Sequence, residues 1–347
     1  MIELDGSIGE GGGQVLRSAL TLSILTETDL RITNIRSRRS KPGLRPQHHK
    51  AVDAAAKISR AEVSGNVLGS TEIEFYPHEV RSGRYKLDIG TAGSTSLVLQ
   101  TVFLPLSKPR SASTIIISGG THVPWAPCFH YLDLNWMSFL DRMGFNAKLS
   151  LEQAGYYPKG SGRISATICP AQEIKPLQLI NRGELKRISG LSAVSNLNME
   201  IAYRQRRQAL KDLEQYAPYA NIDVVSLPSR YKGTMLLILA EFQHSQCCFY
   251  SLGALGKPAE RVADETCQNF MKFMSTDGSI DEHLADQLLI PLCLANDKSI
   301  VRTSKVTRHL LTNAQIIREF LPTTIEVTGE IGNPGTIHIQ PALESNL

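Results

Sequence analysis

The sequence lacks long apolar runs, and its cysteines and histidines do not have the spacing of metal ligands. No window approaches the roughly 18 continuous apolar residues of a transmembrane helix. The six cysteines show neither CxxC nor Cys/His ligand spacing, which excludes the usual zinc sites. The start, MIELDGSIGE, has acids and glycines where a signal peptide needs a basic segment and an apolar run. We therefore expect a cytoplasmic protein without a disulfide framework, in which Cys247 and Cys248 pack within a strand.

Aromatic residues are few, at 6%, and the net charge is only +4, from 37 Lys and Arg against 33 Asp and Glu. The charge is unevenly distributed, however, because residues 30–52 contain no acid and no aromatic side chain. The basic residues of this segment are Arg31, Arg36, Arg38, Arg39, Lys41, Arg45 and Lys50, accompanied by His48 and His49. The pattern favours phosphate binding without base stacking; a solvated basic face is the alternative.

Strand-like and helix-like segments follow one another three times in the order β-α-β-α-β-β. The third copy is split, since its first strand falls at 177–181 and its remaining elements follow residue 283. The segment between has strands and helices of its own, enough for a small inserted α/β domain. We expect an α/β (α+β) fold in which residues 1–182 and 281–347 form a large domain of three repeated units and residues 183–280 form the insert.

The segment Gly9-Glu10-Gly11-Gly12-Gly13-Gln14 opens a predicted helix. Consecutive glycines let the backbone approach a ligand closely, and the N–H groups of a helix N-terminus attract anions. No Lys-Ser/Thr follows, so the segment is not a P-loop. Glu10 fits a divalent cation held beside phosphates. A tight turn with a solvated glutamate is the alternative.

A histidine opens the second helix of the third predicted unit, in Arg308-His309-Leu310-Leu311-Thr312-Asn313. If the three units pack around a common axis, His309 faces the glycine segment and the basic segment. A neutral imidazole is a competent nucleophile toward phosphorus. A structural histidine is the alternative, and the pair Asp286-Gln287 is either a nucleoside contact or ordinary surface polarity.

Seven motifs, taken in order along the chain, resemble those of the RNA 3′-terminal phosphate cyclases. They are EGGGQVLR (10–17), RSKPGLRPQH (39–48), GTAGSTSLVLQT (90–101), SGGT (118–121), YYPKGSG (156–162), HLADQL (283–288) and RHLLTN (308–313). The resemblance implies three repeats like the C-terminal domain of translation initiation factor three, plus a small insert. It also implies ATP-dependent conversion of an RNA 3′-phosphate to a 2′,3′-cyclic phosphodiester, through covalent histidine–AMP and RNA–ppA intermediates.

Carried onto this sequence, the resemblance implies that His309 is the nucleophile and that Glu10 binds Mg²⁺ or Mn²⁺. The implied RNA phosphate-binding residues are Arg17, Arg36, Arg39, Gln47 and His48. The implied ATP-binding residues are Gly11, Gly12, Gly13, Gln100, Pro127, His283, Asp286 and Gln287. Arg38, where bacterial members have glycine, and His283, where tyrosine is common, depart from the family pattern.

Three other functions are compatible with parts of the sequence. A non-catalytic, cyclase-like ribosome-assembly protein would lack the histidine. An enolpyruvyl-type transferase of related repeat fold would not need the basic segment, and a plain RNA-binding module would not be labelled by ATP. The physiological RNA, the preferred metal, the oligomeric state and the role of the insert stay open. Because charge is balanced elsewhere, a short RNA end is expected to suffice for binding.

Overall fold

The computed structural model describes residues 1–341, which form four mixed sheets of four strands each with helices packed against them. The strands are β1 Ile2–Asp5, β2 Leu30–Thr33, β3 Glu62–Ser64, β4 Ile73–Tyr76, β5 Arg84–Asp88, β6 Ser113–Gly119, β7 Ala147–Gln153, β8 Gly162–Ile168, β9 Gln178–Leu179, β10 Leu185–Ser195, β11 Ala220–Ser226, β12 Gly233–Phe242, β13 Gln246–Leu252, β14 Ser299–Thr303, β15 Thr324–Thr328 and β16 Gly335–Gln340. The mixed α/β class agrees with the prediction. Residues 342–347 of the predicted segment 281–347 lie outside the described residues.

The sequence pattern predicts helices at 14–25, 46–59, 95–106, 127–143, 199–216, 258–274, 283–295 and 309–320. The helices of the structure begin and end within a few residues of these bounds. They are α1 Gly13–Thr26, α2 Pro46–Ser59, α3 Thr95–Leu106, α4 Phe129–Tyr131, α5 Met137–Arg142, α6 Met199–Asp212, α7 Ala259–Met274, α8 Glu282–Cys293 and α9 Arg308–Phe320. The predicted single helix over 127–143 is interrupted, because a π-helical turn, Leu132–Trp136, separates α4 from α5. None of the helices in the described part is long and apolar enough to cross a bilayer.

Three of the sheets share one strand order. The orders are β1-β2-β4-β3, β5-β6-β8-β7 and β9-β14-β16-β15. In each sheet the first two strands are parallel and the remaining pairs are antiparallel. A single cluster of buried apolar side chains runs through these three sheets and the helices that cover them. In the first two of these sheets both parallel strands lead into helices on this common core, whereas in the third only β14 does, because β9 leads into β10 of the fourth sheet.

The fourth sheet has the order β11-β10-β12-β13 and two apolar faces. Alternate residues of β12 belong to different clusters, with Leu236 and Ile238 on the face covered by α6 and α7 and Met235 and Leu237 on the other. Cys247 and Cys248 likewise pack on opposite faces, and both are free thiols. The predicted strand packing of this cysteine pair is confirmed.

Strand β10 is a central strand that the sequence pattern does not predict. Its residues LKRISGLSAVS include three serines and a glycine, which are poor strand formers. Tertiary pairing overrides this propensity, since β10 bonds to β11 on one side and β12 on the other. Gly190 fits because any Cβ there would press on Ile222 and the Leu237 carbonyl.

The chain enters and leaves the fourth sheet at one place. The Arg182 guanidinium donates to the carbonyls of Phe273, Met274 and Gly278, which follow or end α7. Its carbon also lies 4.8 Å from the Phe273 ring centroid. The connections at residue 182 and near residue 278 are thus tied together.

Asp281, in the connection from α7 to α8, ties the start of α8 to α4 and the π-helical turn. Its Oδ1 accepts from the His283 and Leu284 N–H groups at 3.0 Å, which caps α8. Tyr131 and Asn135, on α4 and the π-helical turn, also donate to this carboxylate. Asp281 is buried, and burial raises its pKa.

We predict that Asp281→Ala lowers the free energy of unfolding by about 3 kcal/mol, because it removes a helix cap and leaves buried donors without a partner. Asp281→Asn keeps an acceptor oxygen and should cost less. Urea unfolding measures both, with Asp141→Ala on the exposed end of α5 as the control. Equal losses for Asp281→Ala and the control would contradict the assigned role.

Candidate active site

The glycine segment ends at the N-terminus of α1, which no side chain caps. Gly9 and Gly11 have φ of 61° and 56°, the left-handed region that favours glycine. Gly12 is the N-cap residue, and the first turn of α1 has no acid. The N–H groups at this end therefore face a region suited to an anion.

Side chains from three other parts of the chain lie directly against the glycines. A Cβ at Gly9 would overlap the Thr312 hydroxyl of α9, and one at Gly13 would overlap His48 Nε2 of α2. A Cβ at Gly12 would lie 3.1 Å from the Arg39 guanidinium. Arg38, a departure from the family pattern, donates to the Gly9 carbonyl at 3.1 Å. The close approach explains why positions 9, 12 and 13 of this segment are glycines.

His309, at the start of α9, lies beside the carboxylate of Glu10. Its Nε2 is 3.2 Å from Glu10 Oε2, and the same oxygen is 3.7 Å from Arg39. His309 and Glu10 are both partly exposed, with 44% and 38% of the side chain accessible. The structure thus brings the glycine segment, the basic segment and the histidine together.

Gln14 positions the His309 ring. Its Nε2 donates to Asp286 Oδ1 at 2.6 Å and to the His309 carbonyl at 3.1 Å. Its Oε1 then faces His309 Nδ1, so Nδ1 must carry the proton that forms their short hydrogen bond. In the neutral ring this leaves the lone pair on Nε2, the atom that faces Glu10.

Asp286 is fixed in turn by Asn313. Asn313 Nδ2 donates to Asp286 Oδ1 at 2.6 Å, and Ser18 Oγ donates to Asn313 Oδ1 at 2.6 Å. Burial raises the Asp286 pKa, while His309, His283 and Arg17 act in the opposite direction. The roles of Gln14, Asn313 and Ser18 were not predicted from the sequence. Gln14 and Asn313 lie inside the motifs EGGGQVLR and RHLLTN, whereas Ser18 directly follows the first motif. Which of these polar residues meet depends on the packing of α1 against α8 and α9.

Arg17 and His48 lie together over the backbone of Gly13. Burial, together with the charges of Arg17, Arg36 and Arg45, lowers the His48 pKa to about 3. His48 Nδ1 accepts the Arg45 N–H at 3.3 Å, as a neutral ring can. Burial also lowers the pKa of Arg17 to about 10, so this guanidinium is charged at neutral pH.

Arg36 orders the basic segment from within. Its guanidinium donates to the carbonyls of Lys41 and Gly43 at 2.8 and 3.0 Å. Burial, followed by Arg45 and Arg39, lowers its pKa. Arg39 differs, because it is exposed and its one ion-pair contact in the described part is with Glu10.

Gln47 and Gln100 connect helices around the site. Gln47 Oε1 accepts the N–H of Ser94, whose hydroxyl caps α3. Gln100, on α3, donates to Gln287 Oε1 on α8 at 2.9 Å. These two predicted residues therefore tie α2 to the turn before α3, and α3 to α8.

Pro127 and His283 do not join this network. Pro127 precedes α4, where the neighbouring Ala126 carbonyl accepts from Tyr250. His283 lies one turn before Asp286 on α8, with 72% of its side chain exposed, and its Nε2 is 3.9 Å from Glu282. Within residues 1–341, neither of them forms a hydrogen bond or ion pair with His309.

Glu10 is the available carboxylate for a divalent cation beside the glycine segment. Within residues 1–341, no group of three or more His, Cys, Asp and Glu side chains could hold a metal ion by itself. Mg²⁺ commonly uses one or two carboxylates together with substrate phosphates. The residues present therefore fit a cation that arrives with a nucleotide, and do not form an all-protein cage.

A partly exposed histidine and carboxylate, set at an uncapped helix N-terminus and surrounded by arginines, define an α/β enzyme site directed at phosphate chemistry. A family model described as RNA 3′-terminal phosphate cyclase matches residues 8–327. Curated proteins with that name are 38% identical in Methylococcus capsulatus, over 98% of this chain and 99% of the relative, and 40% identical in Archaeoglobus fulgidus, over 95% and 98%. A third, from Ralstonia nicotianae, is 41% identical over 95% of this chain and 94% of the relative. The chain belongs to the RNA 3′-terminal phosphate cyclase family, a family of enzymes, and the family resemblance is confirmed.

We predict that His48→Gln flattens the acid side of the stability profile. The His48 pKa is about 3 in the fold and about 6.5 in the unfolded chain, so only the unfolded state takes up this proton between those values. Stability contributed by neutral His48 is present above pH 6.5 and is lost as the pH falls toward 3. Between pH 7 and pH 5 the wild type should lose up to about 2 kcal/mol more than His48→Gln in urea unfolding. An unchanged slope in the variant would contradict the low pKa.

Proposed function

We propose that the protein converts an RNA 3′-terminal phosphate to a 2′,3′-cyclic phosphodiester at the expense of ATP. The observation that supports this most is the arrangement of His309, whose Nδ1–H is held by Gln14 and whose Nε2 faces Glu10 and the N-terminus of α1. A histidine held in one tautomer presents its lone pair in a fixed direction. The neighbouring helix terminus and arginines suit the phosphates of a nucleotide and of an RNA end.

In the first step, His309 Nε2 attacks the α-phosphorus of ATP, a P–N bond forms, and pyrophosphate leaves. We assign the N–H groups of Gly12 and Gly13 and the neighbouring cation of Arg39 to stabilise negative charge on the phosphate oxygens. Mg²⁺ or Mn²⁺ at Glu10, when bound, neutralises phosphate charge. Gln14 and Asp286 keep the ring oriented as charge develops on it.

In the second step, the RNA 3′-phosphate attacks the histidine-bound AMP, giving an RNA–ppA anhydride and releasing the imidazole. We assign Arg39, Arg17 and the backbone ordered by Arg36 to hold the RNA phosphate, with neutral His48 as a hydrogen-bond donor. The ribose 2′-OH then attacks the terminal phosphorus and AMP departs. Because nucleophile and electrophile are on one ribose, proximity supplies much of this step, and the need for a 2′-OH excludes cyclisation of DNA ends.

The ATP-binding residues divide into two groups by their contacts. Gly11, Gly12 and Gly13 offer backbone to phosphates, whereas Gln100, Gln287, Pro127 and His283 are assigned to the nucleoside. Asp286 Oδ1 already accepts from Gln14 and Asn313, so its contribution to ATP binding is to order Gln14. The partners remain ATP and RNA 3′-phosphate ends, and the proposed compartment is the cytoplasm, where the six free cysteines would stay reduced.

For the architecture, we propose that the three sheets of common strand order are copies of one unit, as in the C-terminal domain of translation initiation factor three. The shared order and the shared core support this proposal. We also propose that residues 1–182 and 281–347 form the large domain and that residues 183–280 form the insert. Two observations support this division: the fourth sheet has a core of its own, and Arg182 ties together the two connections that lead into and out of it. The presence of His309 and Glu10 speaks against a non-catalytic relative, and the arginines around them against an enolpyruvyl-type transferase.

We predict that ATP carrying a radioactive α-phosphate labels the wild type covalently and that acid removes this label. His309→Ala should abolish the labelling. The reason is that the variant has no nucleophile at the N-terminus of α1. His78→Ala, at an exposed position, serves as the control. Retained labelling of His309→Ala would overturn the assignment of the nucleophile.

Arg39→Gln and Arg36→Ala should each weaken binding of an RNA 3′-phosphate end about tenfold while self-adenylylation changes less. Arg39→Gln removes a cation, whereas Arg36→Ala releases the loop carbonyls that Arg36 holds. Oligonucleotide binding and ATP labelling measure the two steps, with exposed Arg81→Gln as the matched control. Equal loss of both steps would place these arginines at ATP instead.

A further inference from the structure

A cleft of about 660 Å³ lies between two turns that the proposed chemistry does not use. One wall is the turn 156–159 between β7 and β8, and the other is the segment 229–232 that leads into β12. The cleft therefore lies where the fourth sheet meets the second.

The two walls are held in place by hydrogen bonds and close packing. The Ala154 N–H donates to the Pro228 carbonyl at 2.7 Å, and Asn196 Nδ2 donates to the Ser229 carbonyl at 2.8 Å. The Tyr156 hydroxyl bonds to Ser195 at 3.0 Å, and the Tyr156 ring lies against Gly233, where a Cβ would overlap it. The cleft is thus part of the folded structure rather than a gap between loose loops.

The lining combines cations with aromatic rings. Lys159, Arg230 and Lys232 are exposed, and within residues 1–341 none of them is paired with a carboxylate. Tyr157 is 70% exposed and Tyr231 is 39% exposed. This combination of cations and aromatic rings is typical of proteins that bind single-stranded nucleic acid, because cations contact the backbone phosphates and bases stack on aromatic faces.

One wall of the cleft adjoins the candidate active site through the turn before α3. Gly160 packs so closely against Thr91 and Ala92 that no Cβ would fit. Ser94, two residues after Ala92, donates its N–H to Oε1 of Gln47, the residue before His48. The cleft and the basic segment thus border the same turn from two sides.

The basic face of α6 is a weaker candidate for the same role. Arg204 forms two hydrogen bonds with Glu260, and Arg207 bonds to Glu200. These carboxylates offset the charge that a phosphate backbone would need.

We propose that this cleft binds the nucleotides that precede the 3′ end of a single-stranded RNA. The inference rests on the proposed function, because it takes the RNA 3′-phosphate to lie at the basic segment. It revises the expectation that a short RNA end suffices. It also gives the fourth sheet a role, since Arg230, Tyr231 and Lys232 belong to the segment 183–280.

The test compares 3′-phosphorylated RNAs of roughly 3 and roughly 12 nucleotides by fluorescence anisotropy at several salt concentrations. The long RNA should bind the wild type at least about tenfold more tightly than the short one. The triple variant Lys159→Gln, Arg230→Gln, Lys232→Gln should lose this advantage, and the slope of log affinity against log salt for the long RNA should fall by about 2. Tyr157→Ala should weaken long-RNA binding about tenfold and short-RNA binding little.

The matched control is Arg84→Gln, Lys86→Gln, Lys148→Gln, which removes the same charge at exposed positions that do not line the cleft. Equal effects of the two triple variants, no length dependence in the wild type, or displacement of the cleft-dependent signal by poly-glutamate and not by poly-uridine would overturn the proposal. Self-adenylylation by labelled ATP is measured on every variant. Its absence from the wild type would refute the proposed function, whereas its retention in the cleft variant shows that the variant is folded and that only RNA binding is altered.

Discussion

The hydrogen bonds of Gln14 are the interactions on which the candidate site depends. This one amide connects α1, α8 and α9, since it bonds to Asp286 and to both the ring and the carbonyl of His309. Without it, the histidine would be free to rotate away from the N-terminus of α1, and its two nitrogens would be interchangeable. Orientation and tautomer are the properties that make an imidazole useful toward phosphorus, and here both are set by a residue some 295 positions away in the chain.

The candidate site also depends on the close approach of side chains to the backbone of the glycine segment. The glycine segment is covered by Thr312, Arg39 and His48, each of which contacts a position where a side chain would collide. The segment is thereby both an uncapped helix terminus and the place where side chains of α2 and α9 pack against the start of α1. Packing around the glycines and exposure of their N–H groups have the same cause, the lack of Cβ atoms.

The electrostatics of the site follow from its burial. Burial first, and the charges of nearby arginines second, make protonation of His48 unfavourable, so this histidine is neutral while the Arg17 guanidinium stays charged. The Arg36 guanidinium donates hydrogen bonds to loop carbonyls, whereas the Arg39 guanidinium is exposed beside Glu10. Residues that look equivalent in the sequence therefore contribute differently, one as the organiser of a loop and another as a cation open to an anion.

The sequence by itself determined the α/β class, nearly all helices and strands, the family, and the motifs from which the candidate residues come. Periodicity and glycine or proline punctuation are local properties, so α3 was predictable to the residue at Thr95–Leu106. Only the tertiary structure decided that β10 is a strand, that a π-helical turn interrupts 127–143, and that Gln14 rather than an expected residue orients His309. The aromatic and basic cleft also comes from segments about 70 residues apart. These features depend on which surfaces meet, and burial, pairing and pKa shifts arise only where distant parts of the chain come into contact.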